Sequence, residues 1–323
     1  MAKPSVVVTR RWPAEVEAEL AERYDAVFNT SDRPLRSDEL KEALYAADAV
    51  LPTVSDRLDA GVFDVTKPRA QILANFGVGY SHIDIASAKR HAIAVTNTPD
   101  VLSECTADLA ITLMLMVARR ASEGEQQLRA HAWQGWCPTH MLGTKVSGKT
   151  LGIVGFGRIG REVAKRAHHG FGMRVIFTNR SPVDPQEAAA VGATPCASLD
   201  ELLAEADFVS LHCPGGRENR RLIDARRLGQ MKPGAFLINT SRGEVVDEQA
   251  LVQALWFETI AGAGLDVYDG EPCILPELRS CPNAVLLPHL GSATRDTRTA
   301  MGRRVLRNLD AFFNGEEPLD RVA

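Results

Sequence analysis

Arg242, Glu271 and His289 follow one another in the C-terminal half of a 323-residue chain, each shortly after an apolar run. A planar guanidinium makes paired hydrogen bonds to a carboxylate more readily than an ammonium does. Arg242, delivered by Ala235-Phe236-Leu237-Ile238-Asn239, therefore implies an anionic substrate. Histidine alone titrates near neutrality without perturbation, and a neighbouring carboxylate favours its protonated form, so His289 with Glu271 suits proton transfer. Singly, each has a plainer reading: a turn arginine, a helix-capping acid, a packed or solvated loop histidine. Jointly, at three successive strand ends, they favour chemistry.

Upstream lies Gly155-Phe156-Gly157-Arg158-Ile159-Gly160. The spacing alone also suits a plain tight turn, but here Leu151–Val154 reads as a buried strand before it and Ile159–Ala167 as a helix after it. In that setting Gly155 allows the turn, Gly157 admits phosphate oxygens, and Gly160 lets helix and strand pack, while Arg158 and Ile159 open a helix whose amides face a pyrophosphate. About 20 residues on, an acid would normally hold the ribose hydroxyls. This chain has Asn179, Arg180 and Ser181 instead. An uncharged amide followed by a cation and a hydroxyl favours NADP, with NAD still possible; the plainer reading of Arg180 is a solvated loop arginine. An arginine, a carboxylate and a histidine behind a dinucleotide fingerprint describe a hydride-transfer enzyme.

Those groups need a scaffold, and the pattern supplies two. Val6–Thr9, Ala26–Asn29, Ala49–Pro52, Gln71–Ala74 and Ala94–Asn97 read as short strands, with Pro13–Arg23 and Ser37–Ala47 as helices between them. Ser103 opens a long helix predicted to reach Arg120, with helix continuing past Ala132 to a turn around Trp133–Pro138. Alternation then restarts with six predicted strands: Thr150–Val154, Arg174–Thr178, Phe208–His212, Phe236–Asn239, Ile260–Leu265 and Ala284–Leu287. The expected fold class is α/β, with two doubly wound parallel-sheet domains and a cleft between them. The boundaries fall at 1–99 with 290–323 for a substrate domain and at 100–289 for a dinucleotide-binding domain that includes a dimerisation region at 103–145, since the helix from Ser103 to Ala118 is apolar nearly all round and predicts a twofold dimer.

Bulk properties narrow the class. A formal charge of −4 argues against a nucleic-acid surface, and 45% hydrophobic with 24% charged residues is ordinary for a globular protein. The N-terminal apolar run is too short for a signal peptide, and Ala107–Ala118 is shorter than the ~20 residues that span a bilayer, so a cytoplasmic protein without a membrane partner is expected. The six cysteines contain no Cys-x-x-Cys and the eight histidines show no ligand spacing, so no metal is expected.

With these pieces in place the chain resembles the D-isomer-specific 2-hydroxyacid dehydrogenases, on the side of their glyoxylate/hydroxypyruvate reductases. The likeness runs from about Leu51 to Asn314. It passes through Asn75-Phe76-Gly77-Val78-Gly79-Tyr80-Ser81-His82-Ile83-Asp84, the glycine fingerprint, Met231–Asp247, Gly262–Tyr268 with Glu271-Pro272, and Pro288-His289-Leu290-Gly291-Ser292. The resemblance implies a flavodoxin-like substrate domain beside the dinucleotide domain, and a homodimer in which Trp133 or Trp136 reaches toward the partner's site. It implies that Arg242 binds the substrate carboxylate and polarises the keto oxygen, that His289 is the acid/base, and that Glu271 pairs with it. The Val78 and Gly79 amides would hold the other carboxylate oxygen, with Val54 on the pocket wall. Thr106, His212, Cys213, Pro214, Thr240, Asp266 and Ser292 would line the cofactor cleft. One departure is Gly215-Gly216, where relatives usually carry Leu-Thr or similar. Alternatives of the same ancestry are reductases of aromatic keto acids such as hydroxyphenylpyruvate, and nucleotide-sensing corepressors. Glu271 speaks against formate dehydrogenase, which carries glutamine there, and the chain has no stretch for the regulatory domain of a 3-phosphoglycerate dehydrogenase.

Overall fold

Short runs of three to five residues, most of them apolar and many β-branched, become twelve parallel strands in the computed structural model, which describes residues 2–323. They fall in two compact units, residues 1–102 with 293–323 and residues 103–292.

In the first unit β1 (Ser5–Val8), β2 (Asp25–Phe28), β3 (Ala49–Leu51), β4 (Ile72–Ala74) and β5 (Ala94–Thr96) form a sheet ordered β2-β1-β3-β4-β5. Each begins and ends within a residue of its predicted span. β3, β4 and β5 are buried along their whole length, as strands covered by helices on both faces must be. The helix Arg295–Phe313, capped by the Thr294 hydroxyl, belongs to this unit. The chain end then lies along β5, where the Val322 N–H donates to the Val95 carbonyl at 2.8 Å and the Val95 N–H to that of Ala323 at 3.0 Å.

In the second unit β6 (Thr150–Val154), β7 (Arg174–Thr178), β8 (Ala193–Pro195), β9 (Phe208–Leu211), β10 (Phe236–Asn239), β11 (Gly262–Leu265) and β12 (Ala284–Leu286) are ordered β12-β11-β10-β9-β6-β7-β8. The order reverses between β6 and β9, and ligands of such sheets bind at the strand ends beside that switch point. The sheet has seven strands where six were predicted. The extra one, β8, is three residues long, ends in Pro195 and pairs only with β7, so it lacks the β-branched signal and sits at an edge, where a missing N–H is tolerated.

A second difference concerns the predicted long helix. It runs Ser103–Ala118 and breaks where Arg120 takes φ 54°; a separate helix, Ala121–Arg129, follows and stops short of Ala132. Left-handed backbone cannot continue an α-helix, and propensity gives little warning of it at an arginine. The apolarity of Ser103–Ala118 is largely used within its own unit: Ala107, Ala110, Leu113, Met114 and Val117 are buried in one cluster with Leu151, Ile153, Phe208 and Ile238. Among the described residues no helix is long and apolar enough to cross a membrane.

Candidate active site

The glycine loop joins β6 to the helix Arg158–Phe171, the position its sequence required. Gly155 has φ +93°, and a Cβ there would meet the Cys213 N at 2.6 Å, so only glycine lets this turn lie against the end of β9. At Gly157 a Cβ would meet nothing, which leaves open space before the helix amides, while Gly160 abuts the Gly155 carbonyl. Arg158 and Ile159 form the first helical turn. This is a phosphate cradle by shape and by dipole.

Asn179, Arg180 and Ser181 follow β7 in an exposed loop. The Asn179 side chain is engaged: Oδ1 accepts from the Phe156 N–H at 2.9 Å and Nδ2 donates to the Ser181 carbonyl at 2.9 Å, stitching the loop to the glycine turn. Arg180 pairs with Glu218, and both side chains are about three-quarters exposed, at 76% and 75%.

After β9, the His212 Nε2 lies 2.8 Å from the Ser210 hydroxyl, and burial holds the imidazole pKa down at about 3, so it is neutral. Burial pushes the neighbouring Cys213 thiol up to about 11, and Pro214 is exposed beside it. Thr240, at the end of β10, is buried with its hydroxyl unpartnered. The Thr106 hydroxyl donates to the Gly291 carbonyl at 3.1 Å. A glycine cradle with open space above it and an orphaned hydroxyl at the next strand end fit a dinucleotide.

Arg242 directly follows that strand. Its Nη1 donates to the Ser241 carbonyl at 2.6 Å. Burial lowers its pKa, opposed by the charges of Glu271 and Glu244. Glu271 receives the Tyr268 N–H at 2.9 Å on Oε1 and faces His289 Nδ1 at 2.7 Å on Oε2. Burial pushes the Glu271 carboxyl up, but the hydrogen bond and charge of His289, the Tyr268 N–H and the charge of Arg242 outweigh it, so the net direction is down. Glu271 thus stays ionised to lower pH than an ordinary glutamate.

The loop carrying His289 is pinned by Asp266. Its two carboxylate oxygens accept the Leu290 N–H at 2.6 Å and the Gly291 N–H at 2.8 Å, while its carbonyl accepts the His289 N–H at 2.9 Å. These bonds hold His289 at φ 55°, a conformation few side chains adopt and one that histidine tolerates better than most. Ser292, half-buried, ends the loop.

In the first unit, Val54, Val78 and Gly79 lie on the loops after β3 and β4. Asn75 Nδ2 donates to the carbonyls of Gly77 at 3.0 Å and Gly79 at 3.2 Å, and Asn97 Nδ2 to that of Val78 at 2.9 Å. With three successive carbonyls tied down, the Val78 and Gly79 N–H groups donate to nothing among the described residues. That is the requirement for an anion nest. Asn75 and Asn97 were not singled out from the sequence; their signal is an amide side chain immediately past a fully buried strand. Asp56 fixes the loop of Val54 by accepting the Thr53 N–H at 2.8 Å.

The model of the D-isomer specific 2-hydroxyacid dehydrogenase NAD-binding domain matches residues 111–291. Over 98% of its length the chain is 45% identical to a glyoxylate reductase of Thermococcus onnurineus, covering 95% of that protein. Among solved structures, a protein of Thermus thermophilus is 44% identical with a TM-score of 0.89, over 99% of this chain and all of that one. An NADPH-dependent glyoxylate/hydroxypyruvate reductase of Sinorhizobium meliloti, solved with NADP and malonate, is 35% identical with a TM-score of 0.88, over all of this chain and 97% of that one.

Proposed function

Because the chain belongs to the D-isomer-specific 2-hydroxyacid dehydrogenase family, we propose that it reduces small 2-keto acids, glyoxylate and hydroxypyruvate, to glycolate and D-glycerate with NAD(P)H. The observation that carries the reading is the 2.7 Å contact between His289 Nδ1 and Glu271, with the charge of Arg242 acting on the same carboxylate. The names of the relatives at 45% and 35% identity support the substrate.

A reduced dinucleotide, its pyrophosphate held by the glycine cradle, would supply the hydride. The chain's own residues do the rest. Arg242 receives the substrate carboxylate and one edge of the keto oxygen, where negative charge develops as the carbonyl is reduced. Its partial burial strengthens that attraction. In the other unit, the undonated Val78 and Gly79 amides form a nest suited to a carboxylate oxygen. Glu271 accepts from Nδ1 and favours the imidazolium, which leaves Nε2 as the nitrogen that gives the proton to the new alkoxide. In this reading the unit of 1–102 with 293–323 is the substrate domain and the other the dinucleotide domain.

Arg180 and Ser181 favour NADPH over NADH, since Asn179 presents no charge to repel a 2′-phosphate. A homodimer formed through residues 103–145 is supported by the exposure of Leu128, Trp133, Trp136 and Leu142 along one stretch. Steady-state rates with glyoxylate, hydroxypyruvate, pyruvate and phenylpyruvate, each with NADPH and NADH, test the proposal together with chiral analysis of the glycerate formed. L-glycerate, or phenylpyruvate as the preferred substrate, would reject it.

A further inference from the structure

Two glycines follow Cys213-Pro214, and the first of them, Gly215, lies against the Arg242 side chain. A Cβ on Gly215 would stand 3.0 Å from the Arg242 Cγ and run into the Glu244 carboxylate. Gly216 has φ +103°, and its N–H donates to Glu244 Oε1 at 2.6 Å. The second oxygen of Glu244 lies 3.6 Å from Arg220 Nη1, and the same guanidinium donates through Nη2 to Asp269 Oδ2 at 3.1 Å. Backbone contacts reinforce the arrangement. The Arg221 N–H donates to the Glu244 carbonyl at 2.7 Å, and Asn219 Nδ2 closes the loop onto the Pro214 carbonyl at 2.8 Å. One arginine and two carboxylates thus tie together the loops that follow β9, β10 and β11, and the last two of these deliver Arg242 and Glu271.

Arg242 needs such support. Its guanidinium is a long side chain whose only tether among the described residues is the bond to Ser241. An arginine that recognises a carboxylate with two parallel bonds must be held close to one rotamer to do so. Packing its stem against a glycine, with a carboxylate held in place beyond it, limits the rotamers available. Any larger residue at position 215 would displace either Glu244 or Arg242.

We propose that Glu244 is a positioning residue which, with Gly215-Gly216 and Arg220, clamps the Arg242 side chain for the substrate carboxylate. The proposal rests on the reading of Arg242 as the carboxylate ligand, so its test carries Arg242→Ala beside it. Oxamate binding to the NADPH-bound protein, followed through cofactor fluorescence, reads carboxylate recognition without turnover. Glu244→Ala weakens oxamate about tenfold, the scale of one charge-assisted contact, raises KM for glyoxylate in step and leaves the Kd of NADPH unchanged. Glu244→Gln keeps an acceptor for the Gly216 N–H and recovers most of the loss, and Gly215→Ala reproduces it. If Arg242→Ala abolishes oxamate binding while Glu244→Ala leaves it at the wild-type level, the clamp is wrong and the Arg242 reading stands. If oxamate survives Arg242→Ala, that reading falls and the clamp falls with it. Parallel weakening of oxamate and NADPH in Glu244→Ala marks general loosening and also overturns the clamp.

Discussion

Two arginines stand just past strand ends of the same sheet, each offered to an anion, in opposite surroundings. Arg242, after β10, is burdened by burial and flanked by the charges of Glu271 and Glu244, with its stem against Gly215. Arg180, two residues past the end of β7, is 76% exposed and paired with an equally exposed Glu218. Charge attraction is several times stronger where water is excluded, and ionic strength screens only the exposed case. In the proposed reaction the buried arginine serves the step that every substrate shares, and the exposed one serves a choice between two cofactors. In sequence both simply follow an apolar strand, and nothing there tells which of the two is shielded from water.

The largest effects are expected among the groups around Arg242. His289→Ala should lower reductive kcat by roughly 10²–10⁴, the scale for losing a general acid, with NADPH binding nearly intact, since His289 is no part of the glycine loop and makes its contact to Glu271. Rapid-mixing turnover beside a cofactor titration checks this. A matching loss of NADPH affinity would mean that the loop held by Asp266 collapses, rather than that a proton donor is missing.

Next in size is the charge of Glu271. Reduction consumes a proton, and Glu271 is the carboxylate that His289 Nδ1 faces at 2.7 Å. Glu271→Gln keeps the shape and the acceptor for the Tyr268 N–H but removes the charge beside the proton donor, and reductive kcat at neutrality should fall about tenfold. The wild-type pair has its own acid limit. Because the folded Glu271 pKa is depressed, its contribution to stability is complete above the unfolded glutamate value and is lost as pH falls through the lower folded value. An unchanged reductive kcat in the variant would reduce Glu271 to an acceptor for the Tyr268 N–H.

The strands and the three strand-end residues were legible because their signals are local. A β-branched run between turns defines β6, β7 and β10 to the residue, and each run hands its side chain to the loop that follows. β8 escaped because a three-residue edge strand ending in proline has no such run. The break at Arg120 escaped because a left-handed arginine is set by packing. What sequence could not supply were partners distant along the chain. Glu218 is 38 residues from Arg180, and Glu244 is 28 from Gly216. Asn75 and Asn97 stand 22 apart in number yet tie down carbonyls of one turn.

The exposed side should give smaller and salt-sensitive effects. Arg180→Ala should weaken NADPH by about tenfold and NADH by little, the ratio for one charge-assisted bond in a solvated site. Equal losses for both cofactors would show that Arg180 does not read the 2′-phosphate.

The smallest effect belongs to Glu218, and it decides whether the contrast between the two arginines is one of solvation. In the free protein Glu218 occupies the guanidinium that a 2′-phosphate would use. Exposed ion pairs contribute about 0–1 kcal/mol, so their removal frees the arginine at little cost. Glu218→Gln should therefore raise NADPH affinity about two- to fivefold and leave NADH unchanged. The gain should shrink with added salt as screening weakens the pair it relieves. It should vanish in an Arg180→Ala background, where there is no guanidinium to free. Cofactor titrations of the two single variants and the double variant at low and high ionic strength measure all of this. A loss of NADPH affinity in Glu218→Gln, or a gain that survives without Arg180, would show that Glu218 acts on the loop after β9 and does not compete with the phosphate.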